Sequence, residues 1–223
     1  MRVLITGTTN GIGRETALLF LENGHQVIGF DREESSIRND NYTHYKRDVR
    51  DKHLFPELET IDILVNNAGV QNGDDINVNL KGVINITEKY GIHDKIKSIV
   101  NIGSASAHTG AEFPEYSASK GGVLAYTKNV ALRIAKYGAT CNSLDFGGVI
   151  TELNSCVIED QDLWDQIMEL TPLKRWATAR EAAEWIYFMA VHNKFCSGQN
   201  ILIDGLEAGN SKFIWKTDPP GIE

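Results

Sequence analysis

The stretch RVLITGTTNGIGRETALLFLE, residues 2–22, runs from a short apolar segment through a glycine-rich turn into a helical pattern. Val3–Ile5 is too short for a helix and is bounded by a turn, so it predicts a buried strand. From Thr16 to Asn23 the apolar residues Ala17, Leu18, Phe20 and Leu21 follow a helical period, and Gly24 supplies the stop. Between the two lie Gly7, Gly11 and Gly13, which let the backbone turn tightly and come close to a ligand where a Cβ would obstruct it. The helix opening at this turn points its free N–H groups and positive dipole end outward, a setting suited to a pyrophosphate. The loop holds no lysine and lacks the Gly-Lys-Ser/Thr ending, which disfavours a nucleoside-triphosphate loop.

Working outward, the same alternation repeats to the end of the chain. QVIGFD reads as a second strand, NYTHYKRDV holds a weaker third, IDILVNNAG a fourth and KSIVNIGSAS a fifth. INVNLKGVINITEKYG and a longer segment from about 117 to 136, closed by Gly138, read as helices. ATCNSLDFG and NILIDG complete seven strands. Strands separated by helical stretches predict βαβ units, hence a parallel sheet with helices on both faces in an α/β fold. With no repeat and no Pro- or Ser-rich linker, one domain over 1–223 is the economical reading. The end, FIWKTDPPGIE, fits neither strand nor helix and reads as a frayed tail or an arm on a neighbour.

Asp31 closes the second strand twenty positions after Gly11. Dinucleotide folds place a carboxylate there to accept hydrogen bonds from the adenosine ribose. It would repel a 2′-phosphate and so favours NAD over NADP, while Arg32 beside it is able to hold that phosphate. A plain glycine turn followed by an aspartate turn is the alternative.

The bulk properties set the frame. The 223 residues are 42% hydrophobic and 23% charged, an ordinary globular composition. A formal charge of −8 argues against nucleic acid or an anionic membrane as the main partner. Cys141, Cys156 and Cys196 are widely spaced, with no CxxC pair, and read as reduced thiols. No histidine shows metal-ligand spacing, so no metal is expected. The apolar stretch EWIYFMAV is too short to span a bilayer. RVLIT runs straight into the glycine loop and leaves no signal peptide, so a cytoplasmic protein is expected.

EYSASKGG, residues 115–122, sets Tyr116 four positions before Lys120 among small side chains. On a helix these two are neighbours, so a phenol and an ammonium reach one spot. A free tyrosine, with a pKa of about 10, is a poor base near neutrality. An adjacent positive charge favours phenolate and lowers that value by about 1–3 units, toward efficient proton transfer.

Taken in order, TGTTNGIG, RDV (47–49), LVNNAG (64–69), VNL (78–80), IVNIGS (99–104), YSASK (116–120), FGGVIT (146–151), PLKR (172–175) and GQNILIDG (198–205) resemble the short-chain dehydrogenase/reductase family in its compact single-domain branch. The resemblance runs from Arg2 to about Gly209. It implies a Rossmann-like doubly wound sheet and an NAD(P)-dependent oxidoreductase interconverting a secondary alcohol and a ketone. In it Tyr116 matches the acid/base, while Lys120 lowers its pKa and bonds the nicotinamide ribose. Ser104 matches the donor that holds the substrate oxygen as charge develops, with Ser106 the alternative on the same face of an extended strand. Asn79 matches the asparagine supporting a proton relay, or else is a helix asparagine bonding backbone. For the cofactor the resemblance implies the loop residues Gly7, Thr9, Asn10, Gly11 and Ile12, with Asp31 and Arg32 at the ribose. It further implies Asp48 and Val49 at the adenine, Asn67, Ala68 and Gly69 along the adenosine, and Val149 and Thr151 at the carboxamide. Family members are commonly dimers or tetramers built on the two longest helices, here around 76–90 and 117–136.

The chain departs from the family pattern in four places. Phe146 stands where a proline is usual, the nine residues between Gly69 and Asn79 are few, the stretch between Asp48 and Ile61 is short, and Leu206 replaces a common glycine. Residues 152–172 occupy the substrate-lid position. Their apolar side chains Leu153, Val157, Ile158, Leu163, Trp164, Ile167 and Met168 either face a hydrophobic substrate or pack the lid down. His108 reads as a surface residue or a substrate contact. Beside a small-alcohol dehydrogenase stand two alternatives, a reductase of acyl chains on a carrier protein and a cofactor-sensing binding protein without chemistry. A retained phenol–ammonium pair argues against the last.

Overall fold

Seven parallel strands share one sheet in the computed structural model, which describes residues 1–111 and 113–209. They are β1 (Arg2–Thr6), β2 (Gln26–Asp31), β3 (Tyr42–Lys46), β4 (Ile63–Asn66), β5 (Ser98–Ile102) and β6 (Thr140–Phe146), with β9 (Asn200–Ile203) last. Between these last two, the two-residue strands β7 (Val149–Ile150) and β8 (Ala177–Thr178) pair only with each other. The order across the sheet is β3-β2-β1-β4-β5-β6-β9. The helices are α1 (Gly11–Glu22), α2 (Val83–Tyr90), α3 (Ser106–Thr109), α4 (Pro114–Ile134), α5 (Ser155–Ile158), α6 (Gln161–Leu170) and α7 (Ala179–Tyr187).

The near-continuous apolar runs of the central strands follow from burial on both faces. Val3 and Ile5 of β1 join Val65, Val100 and Leu144 on one face, against Ala17 and Phe20 of α1 and Ala182 and Ile186 of α7. Leu4, between them in sequence, points the other way and meets Leu64, Ile99 and Cys141 under Ile86 of α2 and Val130 and Ile134 of α4. The two-residue alternation of a strand thus feeds two separate cores.

The seven expected strands lie where the apolar runs put them, with one boundary corrected. KSIVNIGSAS does not stay extended to Ser106: β5 ends at Ile102 and Ser106 opens α3, so Ser104 and Ser106 are not alternate residues of one strand. The helix expected over 76–90 begins as a π-helical segment, Ile76–Gly82, before α2. The long helix starts earlier than 117, with Pro114 in its first turn, where the missing N–H costs nothing. It tightens to a 3₁₀ turn over Ala135–Tyr137 and stops at Gly138, whose φ of 71° suits glycine. Cys141, Cys156 and Cys196 are all free thiols. Among the described residues no helix is long and apolar enough to cross a membrane. The C-terminal arm, expected beyond 209, lies outside the described residues.

One polar chain crosses the second core. Asn66 Nδ2 donates to Asn101 Oδ1 (2.8 Å) and to Thr87 Oγ1 (2.9 Å), and Asn101 Nδ2 donates to Thr127 Oγ1 (2.9 Å). These bonds tie β4 and β5 to α2 and α4 in a buried interior, where a stranded donor is expensive. Replacing Asn101 with leucine, similar in volume, is expected to lower unfolding stability by roughly 2–4 kcal/mol, read from urea denaturation, because the Asn66 donor loses a partner.

Candidate functional site

After β1 the chain turns toward β2 on one side of the sheet, and after β4 it turns toward β5 on the other. The carboxyl ends of these two neighbouring strands therefore part, and a crevice opens between them. Thr6 holds its edges. Its hydroxyl accepts from the backbone N–H of both Asn67 and Ala68 (3.0 Å each), and the Asn67 side chain donates to the carbonyls of Thr6 and Gly7 (3.0 and 3.1 Å). Gly7 adopts a φ of 76°, and a Cβ on Gly13 would lie 1.9 Å from the Gly7 carbonyl oxygen. Only glycine lets α1 start this close to β1. Asn10 precedes α1 with an extended backbone but makes no side-chain cap bond, and the first turn carries no acidic residue. Gly11 and Ile12 line the crevice, so the amides that open the helix are available to an anion there. A dinucleotide's pyrophosphate fits this chemistry.

Across the crevice stand Tyr116 and Lys120 on α4. The Lys120 ammonium donates to the Ile102 carbonyl at the end of β5 (2.9 Å) and lies 5.7 Å from the Tyr116 ring centre. Lys120 is only 5% exposed, an uncommon position for an ammonium. Ser104 is buried beside the strand end, and its Oγ accepts from both the hydroxyl (3.0 Å) and the backbone N–H (3.2 Å) of Ser106. Both serines line the cavity, so Ser106 is a neighbour that supports Ser104. Asn79 lies on the π-helical segment. Its carboxamide accepts from Val70 N–H (2.8 Å) and donates to Val70 C=O (2.9 Å) and Ser119 Oγ (3.2 Å). A Cβ on Gly69 would lie 3.2 Å from Asn79 Oδ1 and 3.7 Å from Lys120 Nζ, so Gly69 separates the two side chains.

Tyr116, Lys120, Ser104, Ser106 and Gly69 share one cavity of about 910 Å³. Of the residues expected at the cofactor, Gly7, Thr9, Asn10, Gly11, Ile12 and Asp31 line it on one side, and Asn67, Ala68, Gly69, Val149 and Thr151 continue the wall toward Tyr116 and Lys120. Asp31 Oδ2 accepts from the backbone and hydroxyl of Thr9 (3.0 and 2.8 Å), which fixes the carboxylate at the rim. Arg32, Asp48, Val49 and Asn79 do not line the cavity. Asp48 is bound by Arg50, whose guanidinium holds the carboxyl below the usual carboxylate range. Val49 is buried, and a Cβ on Gly82 would lie 2.5 Å from its Cγ2.

From the lid, Leu153, Val157 and Ile167 line the cavity, whereas Trp164 packs edge-on against Trp176 with ring centres 5.2 Å apart. Ile158 and Leu163 are exposed. Glu207, whose carboxyl is raised by burial and by the neighbouring Asp204, closes the far wall with Ala208. Trp176 and Glu207 were not expected from the sequence. Neither was Asp145, fully buried on β6, whose Oδ2 accepts from His108 Nε2 at 2.6 Å. His108 is thus an exposed residue, as the surface reading expected, but one paired with Asp145, and it is not part of the cavity lining. An acidic residue inside the buried run TCNSLDF was the available signal.

Residues 7–205 match a family model described as enoyl-(acyl carrier protein) reductase. A 3-oxoacyl-[acyl-carrier-protein] reductase of Thermotoga maritima is 31% identical over 91% of this chain and 95% of its own length. The solved structure of a 4-hydroxyisoleucine dehydrogenase mutant complexed with NADH and succinate superposes with a TM-score of 0.88 at 25% identity, covering 95% of this chain and all of that one. ElxO with NADP bound gives 0.82 at 29% identity, over 94% and 99% of the two chains.

The Thr6 hydroxyl is the group whose loss should open the crevice. Thr6→Val, nearly the same shape, strands two backbone donors and is expected to cost roughly 1–3 kcal/mol in denaturant unfolding. It should also weaken NADH binding by about tenfold or more, measured by fluorescence titration.

Proposed function

Because the chain belongs to the short-chain dehydrogenase/reductase family of NAD(P)-dependent oxidoreductases, we propose that it interconverts a secondary alcohol and a ketone with Tyr116 as the acid/base. The observation that carries the assignment is the buried Lys120 ammonium, 5.7 Å from the Tyr116 ring, in the cavity that Ser104 also lines. When bound, the nicotinamide supplies or takes the hydride. The pyrophosphate would rest on the glycine loop at Gly7, Thr9, Asn10, Gly11 and Ile12, the adenosine ribose on Asp31, and the carboxamide near Val149 and Thr151. Lys120 would bond the nicotinamide ribose. Arg32, Asp48 and Val49, set back from the lining, are assigned no contact.

In the oxidative direction the Tyr116 oxygen takes the alcohol proton, and the Lys120 charge favours the phenolate that does so. Ser104 Oγ–H donates to the substrate oxygen and holds it as its charge changes. The bonds from Ser106 leave the Ser104 hydrogen free to point at substrate. Asn79 supports the return of the proton to solvent by fixing the Gly69–Val70 loop beside Lys120, its carboxamide being committed to Val70. Tyr116→Phe is expected to retain cofactor affinity and to lose about a hundredfold or more in turnover, measured with a panel of secondary alcohols by reduced-nicotinamide absorbance. Near-normal turnover would refute the assignment.

NAD is the proposed partner in preference to NADP. Asp31 is locked at the rim by Thr9, and its charge opposes a 2′-phosphate there. Asp31→Ala should shift the ratio of NAD to NADP dissociation constants toward NADP by about tenfold or more, a change calorimetric titration of each cofactor would read. Residues 152–172 form the substrate lid in this proposal. A cytoplasmic dimer or tetramer on α2 and α4 belongs to it as well, supported by Leu132, 80% exposed on α4. A second reading, reduction of acyl chains on a carrier protein, draws support from the Thermotoga relative's name and sequence likeness. Comparing free with carrier-bound 3-oxoacyl substrates separates the two.

A further inference from the structure

Three successive residues where β5 ends meet a buried ammonium, a buried carboxylate and the cavity. The Ile102 carbonyl accepts from Lys120. Gly103 lies against Asp145, so closely that a Cβ there would sit 1.9 Å from Asp145 Oδ1. Ser104 lines the cavity. The backbone of this segment is pinned to β6 by Gly103 N–H to Leu144 C=O (2.9 Å) and Ala105 N–H to Phe146 C=O (2.9 Å), on either side of Asp145. Asp145 is therefore a buried carboxylate set one residue from the substrate-oxygen donor and one residue from the carbonyl that holds the catalytic ammonium.

Its partner comes from the next element. His108 is on α3, the turn that directly follows Ser104, and its 2.6 Å bond to Asp145 Oδ2 ties that turn to β6. Asp145 Oδ1 is buried and has no hydrogen-bond partner among the described residues. The Ser143 hydroxyl, on the same strand, donates instead to Asn200 Oδ1 (3.0 Å). Burial raises the Asp145 carboxyl above the ordinary range, opposed first by the bond from His108, then by the nearby Ser143 hydroxyl and by the charges of His108 and Lys120. The ionisable groups acting on Asp145 are thus His108 from α3 and Lys120 from α4. Those that share the cavity with Tyr116 are Lys120, Asp31, Glu152 and Glu207.

We propose that Asp145 and His108 are positioning residues for the reaction, a buried acid held by an imidazole at the surface, which together place Ser104 and set the electric field at the Tyr116–Lys120 couple. The inference rests on the reading of Tyr116 as the acid/base. An anion on the far side of the β5 end offsets part of the Lys120 charge and so opposes formation of phenolate. His108 keeps that anion hydrogen-bonded where it is fully buried and an unpaired carboxylate is costly. The pair thereby governs the pH at which the phenol becomes a base, with neither side chain touching substrate.

The test follows the Tyr116 phenol itself, so no substrate is needed. Ultraviolet difference titration of the NAD-saturated protein, subtracting the matching Tyr116→Phe variant in each background, isolates one tyrosine. Asp145→Asn removes the negative charge and is expected to move the Tyr116 midpoint to lower pH by roughly half a unit or more. Asp145→Ser, smaller and also neutral, should move it the same way, which covers a folding failure of the first variant. His108→Gln retains a donor for the carboxylate and should leave the midpoint within about 0.2 units of the original. Midpoints unmoved in the Asp145 variants, or moved upward, overturn the proposal, as does a His108→Gln shift as large as theirs. A Tyr116 that titrates like free tyrosine in the unaltered protein counts against the acid/base assignment instead, and so the two failures are told apart.

Discussion

The whole site depends on the reversal of winding between β1 and β4. In a parallel sheet every strand ends at the same edge, and the connections normally cover that edge as they cross to the next strand. Only where successive connections leave in opposite directions is the edge open. Here the parted strand ends are held by one hydroxyl, Thr6, accepting from two consecutive amides. Gly7 and Gly13 then allow α1 to begin at the lip of the opening, with its first amides toward the crevice. Polar groups that the sheet cannot pair and the helix cannot pair are gathered in one place. That is why a dinucleotide-sized cavity lies there.

The second constraint is the cost of an ammonium that is 5% exposed. The Lys120 ammonium donates to the Ile102 carbonyl and lies over the Tyr116 ring. A buried cation favours the charged form of a nearby acid, whether phenol or ribose hydroxyl. Small residues make the arrangement possible. Ser119 sits fully buried beneath the helix, taking a bond from Asn79, and a Cβ on Gly122 would lie 2.7 Å from Leu80. So α4 seats against the π-helical segment closely enough to bring Lys120 to the end of β5.

Much of this was legible in the sequence because each part leaves a local mark. Strands in the centre of the sheet are short apolar runs, the glycine loop is a spacing, and Tyr116 with Lys120 is a helical offset. The limits of legibility are equally physical. Where Ser106 begins a four-residue helix, local composition says little, because SAS is as much at home in a strand end as in a turn. Long-range pairs leave no local mark at all. Asp145 and His108 are 37 positions apart, and only the parallel pairing of β5 with β6 brings α3 over the acid. Asp48 shows the reverse: its motif was visible, but its carboxylate is bound by Arg50, two residues on, and does not line the cavity.

The departures from the family pattern fall where another contact takes over. Phe146 lacks the fixed φ of a proline, yet it ends β6 in register with Ile203, its carbonyl accepts from Ala105, and Gly147 N–H reaches the Ile203 carbonyl at 3.0 Å. Sheet pairing does there what a ring would do elsewhere. Leu206 takes a left-handed φ of 74°, a strained setting for a leucine, beside an Asp204 carboxylate that accepts from Leu206 and Ala208 N–H (2.9 and 2.7 Å). Those two bonds hold the turn, and the turn carries Glu207 to the cavity wall. Across from it, a Cβ on Gly148 would lie 2.0 Å from Trp176, so the indole packs directly on the backbone that leads to Val149. Trp164 of α6 then leans on Trp176. The Tyr116–Lys120 side of the cavity is thus fixed by the sheet edge, whereas the shape of its other wall is fixed by two tryptophans and a strained turn. Under the proposed function, substrate selection belongs to residues 152–172 and the 204–208 turn, which can change without disturbing Thr6, Ser104, Tyr116 or Lys120.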